Sequence, residues 1–188
     1  MRKLKLQVQM SIDAYVAGPD GAMDWMVWNW DDALSAYVDD LTDSCDTILL
    51  GKNMTEGFIN HWSNVPADDP EYSFARKMMD YQKVVFSNTL EKSTWPNTTL
   101  QKGDYEAAIQ SLKQADSSKD IIVYGGANFV ASLIKAHLID ELHLFVNPAI
   151  LGTGLSIFNR ITPPRNLKLA RSIPFDCGIV LLHYNLET

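Results

Sequence analysis

At 188 residues, 46% of them apolar and 21% charged, the chain has the length and composition of one globular domain with a core of its own, and disorder is excluded. A net charge of −7 with no basic run argues against a duplex nucleic-acid binder and, more weakly, against an anionic membrane surface. A phosphorylated ligand would have to be held by local Lys or Arg and by backbone N–H groups against the overall field.

Met1-Arg2-Lys3 opens like a signal peptide, but Leu4, Leu6, Val8 and Met10 alternate with Lys5, Gln7, Gln9 and Ser11. That period predicts a half-buried strand over 3–10, not an apolar leader. Gly18-Pro19-Asp20-Gly21 marks a turn in a long loop, and Trp25, Trp28 and Trp30 follow. Asp31 or Asp32 caps a helix whose inner face is Leu34, Tyr37, Val38 and Leu41. Thr47–Leu50 reads as a strand ending at Gly51, and 52–60 as a short helix. Pro66 and Pro70 punctuate a loop before a helix over 71–80, with Phe74, Met78 and Met79 inward. Lys83–Phe86 is a strand ending at Ser87, and Thr98–Gln101 a short extended piece. Asp104 caps a helix that buries Tyr105, Ala108, Ile109 and Leu112. Ile121–Tyr124 is an apolar strand ending at Gly125-Gly126, and the next helix buries Val130, Leu133, Ile134 and His137. Leu142–Val146 is a strand, with His143 facing solvent, followed by Pro148 and Leu151-Gly152-Thr153-Gly154. Two antiparallel strands, 166–173 and 178–186, close the chain around Asp176-Cys177-Gly178. Alternating helix and strand followed by a hairpin predicts an α/β fold, a mainly parallel sheet with an antiparallel edge, in one domain over 1–188.

Ligands of open α/β sheets sit outside the carboxyl ends of the parallel strands. Three such ends carry small or polar residues: Gly51-Lys52-Asn53-Met54-Thr55, Ser87-Asn88-Thr89 and Gly125-Gly126-Ala127-Asn128-Phe129. Two of them open a helix, whose unpaired N–H groups and partial positive charge suit phosphate. Each alone is an ordinary turn or polar loop; together they point to a nucleotide site. There is no GxGxxG fingerprint and no P-loop. His61, His137, His143 and His183 show no HExxH or His-x-His spacing, so no metal is expected. No GxSxG elbow appears, and Cys45 and Cys177 stand alone without a CxxC. Reduced thiols fit a cytoplasmic protein.

The ordered set Ser11–Gly18, Ile48–Met54, Ile122–Ala127 and Asp140-Glu141-Leu142 through Pro148–Gly154 resembles the dihydrofolate-reductase-like superfamily. Within it, the chain resembles the branch holding the C-terminal reductase domain of bacterial riboflavin biosynthesis. The resemblance implies a three-layer α/β/α fold with a mainly parallel mixed sheet and a C-terminal antiparallel hairpin. It also implies NADPH, a small heterocyclic substrate, no nucleic-acid or membrane partner, and a homodimer. Gly51, Lys52, Asn53 and Met54 would meet the cofactor phosphates, with Lys52 favouring NADPH over NADH. Ser87 and Asn88 would lie at the adenosine end. Gly125 and Gly126, joined by a cis peptide in many relatives, would face the nicotinamide with Ala17, Ala127, Asn128 and Phe129. A non-proline cis bond costs about 3 kcal/mol, so one here would mark a functional constraint.

The loop from Met10 to Trp25 resembles a flap over the nicotinamide. On the substrate side the resemblance places Met10, Asp13, Trp25, Trp28, Leu151 and Gly152. Asp13 either shapes the flap or caps a turn. Asp31 or Asp32 matches the substrate-side acid, and N-capping explains an Asp there equally well. Trp25, Trp28 and Trp30 form either a stacking wall or core. Riboflavin reductases often carry Glu directly before the glycine pair; here it is Tyr124, and the fused deaminase domain is missing. The activities left open are a 5-amino-6-(5-phosphoribosylamino)uracil reductase, a dihydrofolate-reductase-type enzyme, and a non-catalytic NADPH-binding module.

Overall fold

The structure, a computed structural model, describes residues 1–186, so the last two residues of the expected 1–188 domain lie outside it. In chain order the elements are β1 (Leu4–Met10), α1 (Asp32–Asp43), β2 (Cys45–Gly51), α2 (Lys52–Ser63), α3 (Tyr72–Asp80), β3 (Gln82–Phe86), β4 (Thr98–Gln101), α4 (Tyr105–Gln114), β5 (Asp120–Val123), α5 (Ala127–Lys135), β6 (Glu141–Val146), β7 (Leu167–Pro174) and β8 (Val180–Leu186). The strands form one sheet of order β4-β3-β2-β5-β1-β6-β8-β7. The pairs from β4 through β6 are parallel, while β8 runs antiparallel to both β6 and β7. The mainly parallel sheet with an antiparallel hairpin at its end is as the sequence implies. Among the described residues no helix is long and apolar enough to cross a membrane.

The runs Ile48-Leu49-Leu50 and Ile121-Ile122-Val123 are continuously apolar because helices cover both faces of the sheet. On one face α4 and α5 press Ile109, Val130, Leu133 and Ile134 onto Leu4, Leu6, Val8, Leu49 and Val123. On the other, α1, α2 and α3 bring Leu41, Phe58, Ile59 and Met78 onto Ile48, Leu50, Val85 and Ile122. Full burial of each such side chain contributes about 1.5–3 kcal/mol. Leu34 and Val38 of α1 extend that layer over Phe145, Ile179 and Leu181.

Strand β1 departs from this pattern. It is central, yet Lys5, Gln7 and Gln9 point toward the α1 side, and each has a polar neighbour or partner there. Lys5 Nζ donates to Ser44 Oγ at 2.9 Å and pairs with Asp120 at 2.9 Å. In the adjacent register lie Glu141, His143 and His183. His143 is 3% exposed, which corrects the expectation that it faces solvent: α1 covers it, and Tyr37 Oη sits 2.8 Å from its Nδ1. A hydrogen bond with His143 and the Lys3 ammonium hold the Glu141 carboxyl well down, at about 2. Burial and the neighbouring His143 push the His183 imidazole down to about 4, so it is neutral at neutral pH.

His137 is also displaced from its expected place. Helix α5 ends at Lys135, and His137 is an exposed residue at φ 58 just beyond it. The Gly125–Gly126 peptide is trans, against the expectation of a cis bond; the one cis bond among the described residues is Thr162–Pro163. Both glycines instead take positive φ, 154° and 84°, where side chains are strained.

Lys83, at the start of the inner part of β3, is fully buried. Its ammonium donates to the carbonyls of Met78, Met79 and Tyr81 at 3.0, 2.8 and 2.7 Å, closing the C-terminus of α3. These carbonyls have no helical partner of their own. Lys83→Met is expected to orphan the Met78 and Tyr81 carbonyls, Met79 keeping its bond from Asn97 Nδ2, and to lower stability by roughly 2 kcal/mol, read as a lower urea midpoint with unchanged slope. An unchanged midpoint would show that the cap contributes nothing net.

Candidate functional site

The carboxyl ends of β3, β2, β5, β1 and β6 stand side by side along one edge of the sheet. That adjacency brings the three candidate segments together. Lys52, the first residue of α2, donates from Nζ to Thr89 Oγ1 at 2.7 Å, joining the β2 end to the β3 end. Ser87 Oγ accepts from the N–H groups of Thr89 and Leu90, which shapes the 87–90 turn. Asn88 Oδ1 accepts from Gly103 N–H at 2.9 Å, so its amide oxygen is committed to the neighbouring loop.

Gly51 allows the end of β2 to approach α5: a Cβ there would meet Phe129 Cβ at 3.2 Å. Phe129 in turn packs against Phe86, with ring centroids 5.2 Å apart. Gly125 lies under Met54, whose sulfur would be 3.7 Å from an added Cβ. The two helices that start here, α2 and α5, have Gly51 and Gly126 as N-caps and no side-chain cap bond. Elsewhere α1 and α4 are capped by Asp31 and Asp104, while α3, which starts away from this edge, likewise has no side-chain cap bond among the described residues. First-turn N–H groups therefore stay available along this edge, the arrangement that receives phosphate oxygens. Lys52 adds a cation, and Asn53 is exposed beside it. Asn128 Oδ1 and Ser132 Oγ accept from Arg160 at 2.9 Å each, placing a second cation over the first turns of α5. Arg160 lies far from the glycine pair in sequence, and no spacing rule points to it.

The other half of the edge is built by two loops that hold each other. Ile12 N–H donates to Ala149, Val16 N–H to Leu155 and Leu155 N–H to Ala17, all carbonyl acceptors. Asp13 accepts from Leu151 N–H at 3.1 Å and from Gly152 N–H at 2.7 Å. Asp13, Leu151 and Gly152 thus meet, and Asp13 acts as a clasp between the loops; its carboxyl is held low by Ser11 and these backbone donors. Asn147, absent from the sequence reading, is the buried hub beneath them. Its Oδ1 accepts from Val27 N–H, its Nδ2 donates to Gln9 Oε1 and Phe145 O, and its N–H donates to Met10 O.

Met10 is buried at the end of β1, so its contribution to the edge is its backbone. The three tryptophans separate. Trp30 packs against the Leu34–Phe145 cluster with Nε1 donating to Val27 O, and Trp25 is half-buried with Nε1 donating to Ala22 O. Trp28 is 60% exposed, with Ile12 (61%) and Ile150 (75%) also open to solvent. Asp31 Oδ1 accepts from Leu34 N–H and Oδ2 from Cys177 N–H, which caps α1 and ties it to the β7–β8 turn. Those donors hold its carboxyl below the usual range. Asp32 is exposed and has no hydrogen-bonded partner among the described residues. Tyr124 points away, its ring against Phe58 and its hydroxyl 3.4 Å from Thr42, with burial pushing its pKa up.

Helices on both faces of a mainly parallel mixed sheet that ends in an antiparallel hairpin give the dihydrofolate-reductase-like fold. Residues 2–181 match the RibD C-terminal domain, and the chain belongs to that family. It is 26% identical over 184 residues to the uncharacterized protein YyaP of Bacillus subtilis, covering 98% of this chain and 95% of that one. In fold it is similar to a putative riboflavin biosynthesis protein from Shewanella sp. PV-4, with a TM-score of 0.74, 20% identity and full coverage of both chains. It is also similar to dihydrofolate reductase from Enterococcus faecalis complexed with NADP(H), with a TM-score of 0.64, 13% identity, and 99% and 97% of the two chains covered.

Gly154 is where the two loops come closest, since an added Cβ would overlap the Ala17 carbonyl oxygen. Gly154→Ala is expected to part them, so that the amides of Val16 and Leu155 lose hydrogen-exchange protection while the core strands keep theirs. Equal protection in both regions would show that the bridge tolerates the methyl group.

Proposed function

We propose that residues 1–188 form one NADPH-dependent reductase domain acting on a pyrimidine- or pteridine-like small molecule, with 5-amino-6-(5-phosphoribosylamino)uracil reduction the closest family activity. The observation that carries this reading is the pair of uncapped helix starts at Gly51 and Gly126 on neighbouring strand ends, beside Lys52. The family match and the NADP(H) complex of a protein of similar fold support it.

The residues fit the cofactor. The α2 and α5 N–H groups and Lys52 would bind its phosphates, with Asn53 and Met54 beside them. Ser87 and Asn88 would border the adenosine end. Gly125, Gly126 and Ala127 would let the nicotinamide approach β5, with Phe129 behind them and Ala17 on the flap. NADPH supplies the hydride. The protein aims it and excludes water, with the flap as cover. Trp28, with Trp25, Met10 and the 151–152 loop, would border a flat heterocycle.

Reduction also consumes a proton. Asp31 is bonded through both carboxylate oxygens, so Asp32 is the acid in this reading. The same commitment of Asp31 favours a second reading, a non-catalytic NADPH-binding module. Homodimer formation in the cytoplasm belongs to the proposal. The edge strand β7 exposes Leu167 and Leu169, and both cysteines are free thiols.

NADPH binding followed by fluorescence, then turnover of a panel including dihydrofolate and the riboflavin-pathway pyrimidine, tests the reading. Absence of NADPH binding would overturn it, and binding with no turnover would favour the module. Gly126→Val, at φ 84°, is expected to abolish binding in a folded protein. Lys52→Ala is expected to weaken NADPH about tenfold, or about 1.4 kcal/mol, and NADH much less. In an active enzyme Asp32→Asn should lower kcat and remove the protonation-dependent limb of its pH profile, whereas Asp31→Asn should mainly lower the melting temperature.

A further inference from the structure

At the opposite end of the sheet from the nucleotide edge, Glu141 opens β6 and His143 follows two residues later, so both side chains leave the same face. His183 of β8 is the direct antiparallel partner of His143. The two imidazoles stack with centroids 4.1 Å apart and planes at 19°. Glu141 Oε2 lies 3.3 Å from His143 Nε2 and 3.7 Å from His183 Nε2. One ligand atom from each of the three residues falls within a common 4.8 Å. Ligands in tetrahedral zinc geometry, each about 2.1 Å from the ion, stand about 3.4 Å apart.

We propose that Glu141, His143 and His183 bind a divalent transition metal of the zinc class. His183 Nε2 is buried and has no hydrogen-bond partner among the described residues, and neither has Oε1 of Gln7, the register neighbour of His143. A buried polar atom without a partner costs about 1–3 kcal/mol, and a ligand on His183 Nε2 removes that cost. The outer contacts are those a ligand set needs. Tyr37 Oη bonds the far nitrogen of His143 at 2.8 Å, fixing the ring with Nε2 toward Glu141. Lys3 donates to Glu141 Oε1 at 2.6 Å, which leaves Oε2 for the ion. The His183 side chain keeps 17% exposure, which gives an ion a way in.

Two imidazoles with one carboxylate suit zinc, cobalt or nickel over magnesium or calcium. The cations Lys3 and Arg171 flanking the site sharpen that choice, because they repel an ion held by charge alone.

Titration of tag-free protein with Co2+ tests the assignment. One equivalent per chain should give the visible d–d bands of a four- or five-coordinate ion, displaced by Zn2+ and not by Mg2+. His183→Gln and Glu141→Gln should each weaken binding at least tenfold. Tyr37→Phe should weaken it about tenfold, while the exposed control His137→Gln leaves it unchanged. Should the site variants misfold, wild-type imidazole resonances decide: Zn2+ must shift those of His143 and His183 and spare those of His61 and His137. Absence of d–d bands, a thiolate charge-transfer band, or unchanged affinity in folded His183→Gln would overturn the proposal.

Discussion

Strand β1 sits in the middle of a sheet with helices on both sides, and three of its seven residues are polar. Burying a polar group without a partner costs more than most single apolar contacts contribute. The structure therefore has to bring partners to Lys5 and Gln9, and the path of the chain around β1 follows from doing so. Asp120, opening β5, meets Lys5. Asn147, just after β6, meets Gln9 and then the loop carrying Val27. Tyr37 comes down from α1 onto His143. Lys3, just before β1, meets Glu141. Among the described residues, the buried side-chain atoms left without a partner, Gln7 Oε1 and His183 Nε2, lie in the register row of His143.

The same layer of partners positions the 11–17 loop. Asn147 fixes the end of β1 to the start of the 148–155 loop, and Asp13 then closes that loop against residues 11–17. The carboxyl edge of the sheet thus receives a cover on its β1 and β6 side and bare helix starts on its β2 and β5 side. In the proposed reading an anion approaches the second and a flat heterocycle lies beside Trp28 at the first. The edge is asymmetric because the polar layer beneath it is anchored only on one side.

Most elements were legible in the sequence because their causes are local. The apolar runs at Ile48–Leu50 and Ile121–Val123, the Asp104 cap and the hairpin around Asp176-Cys177-Gly178 declare themselves within a few residues. The adjacency of Gly51, Ser87 and Gly125 followed from the rule for parallel sheets. Residues whose role depends on a distant partner were not legible. His143 alternates like an exposed strand residue, and only α1 crossing over it makes it buried. Asn147 follows a strand like any loop residue, and its side-chain and N–H bonds reach three separate segments. Arg160 reaches Asn128 and Ser132 from a loop that has no regular pattern. The glycine pair was legible as a backbone necessity, but its expected cis geometry was not: two positive φ angles turn the chain into α5 through a trans bond.

The commitment of the acidic residues bears most directly on chemistry. A carboxylate that accepts two backbone N–H bonds is stabilised in its ionised form, and that is the reverse of what a proton donor needs. Asp13 and Asp31 are both in that state, each spanning two segments more than a hundred residues apart. Protonating either would weaken a tertiary clasp. The residue types that look most catalytic in the sequence are thus occupied in holding the flap and α1 in place. Asp32, one residue past the cap on the first turn of α1, carries no such structural duty among the described residues, which is why the proposed reduction assigns proton delivery to it.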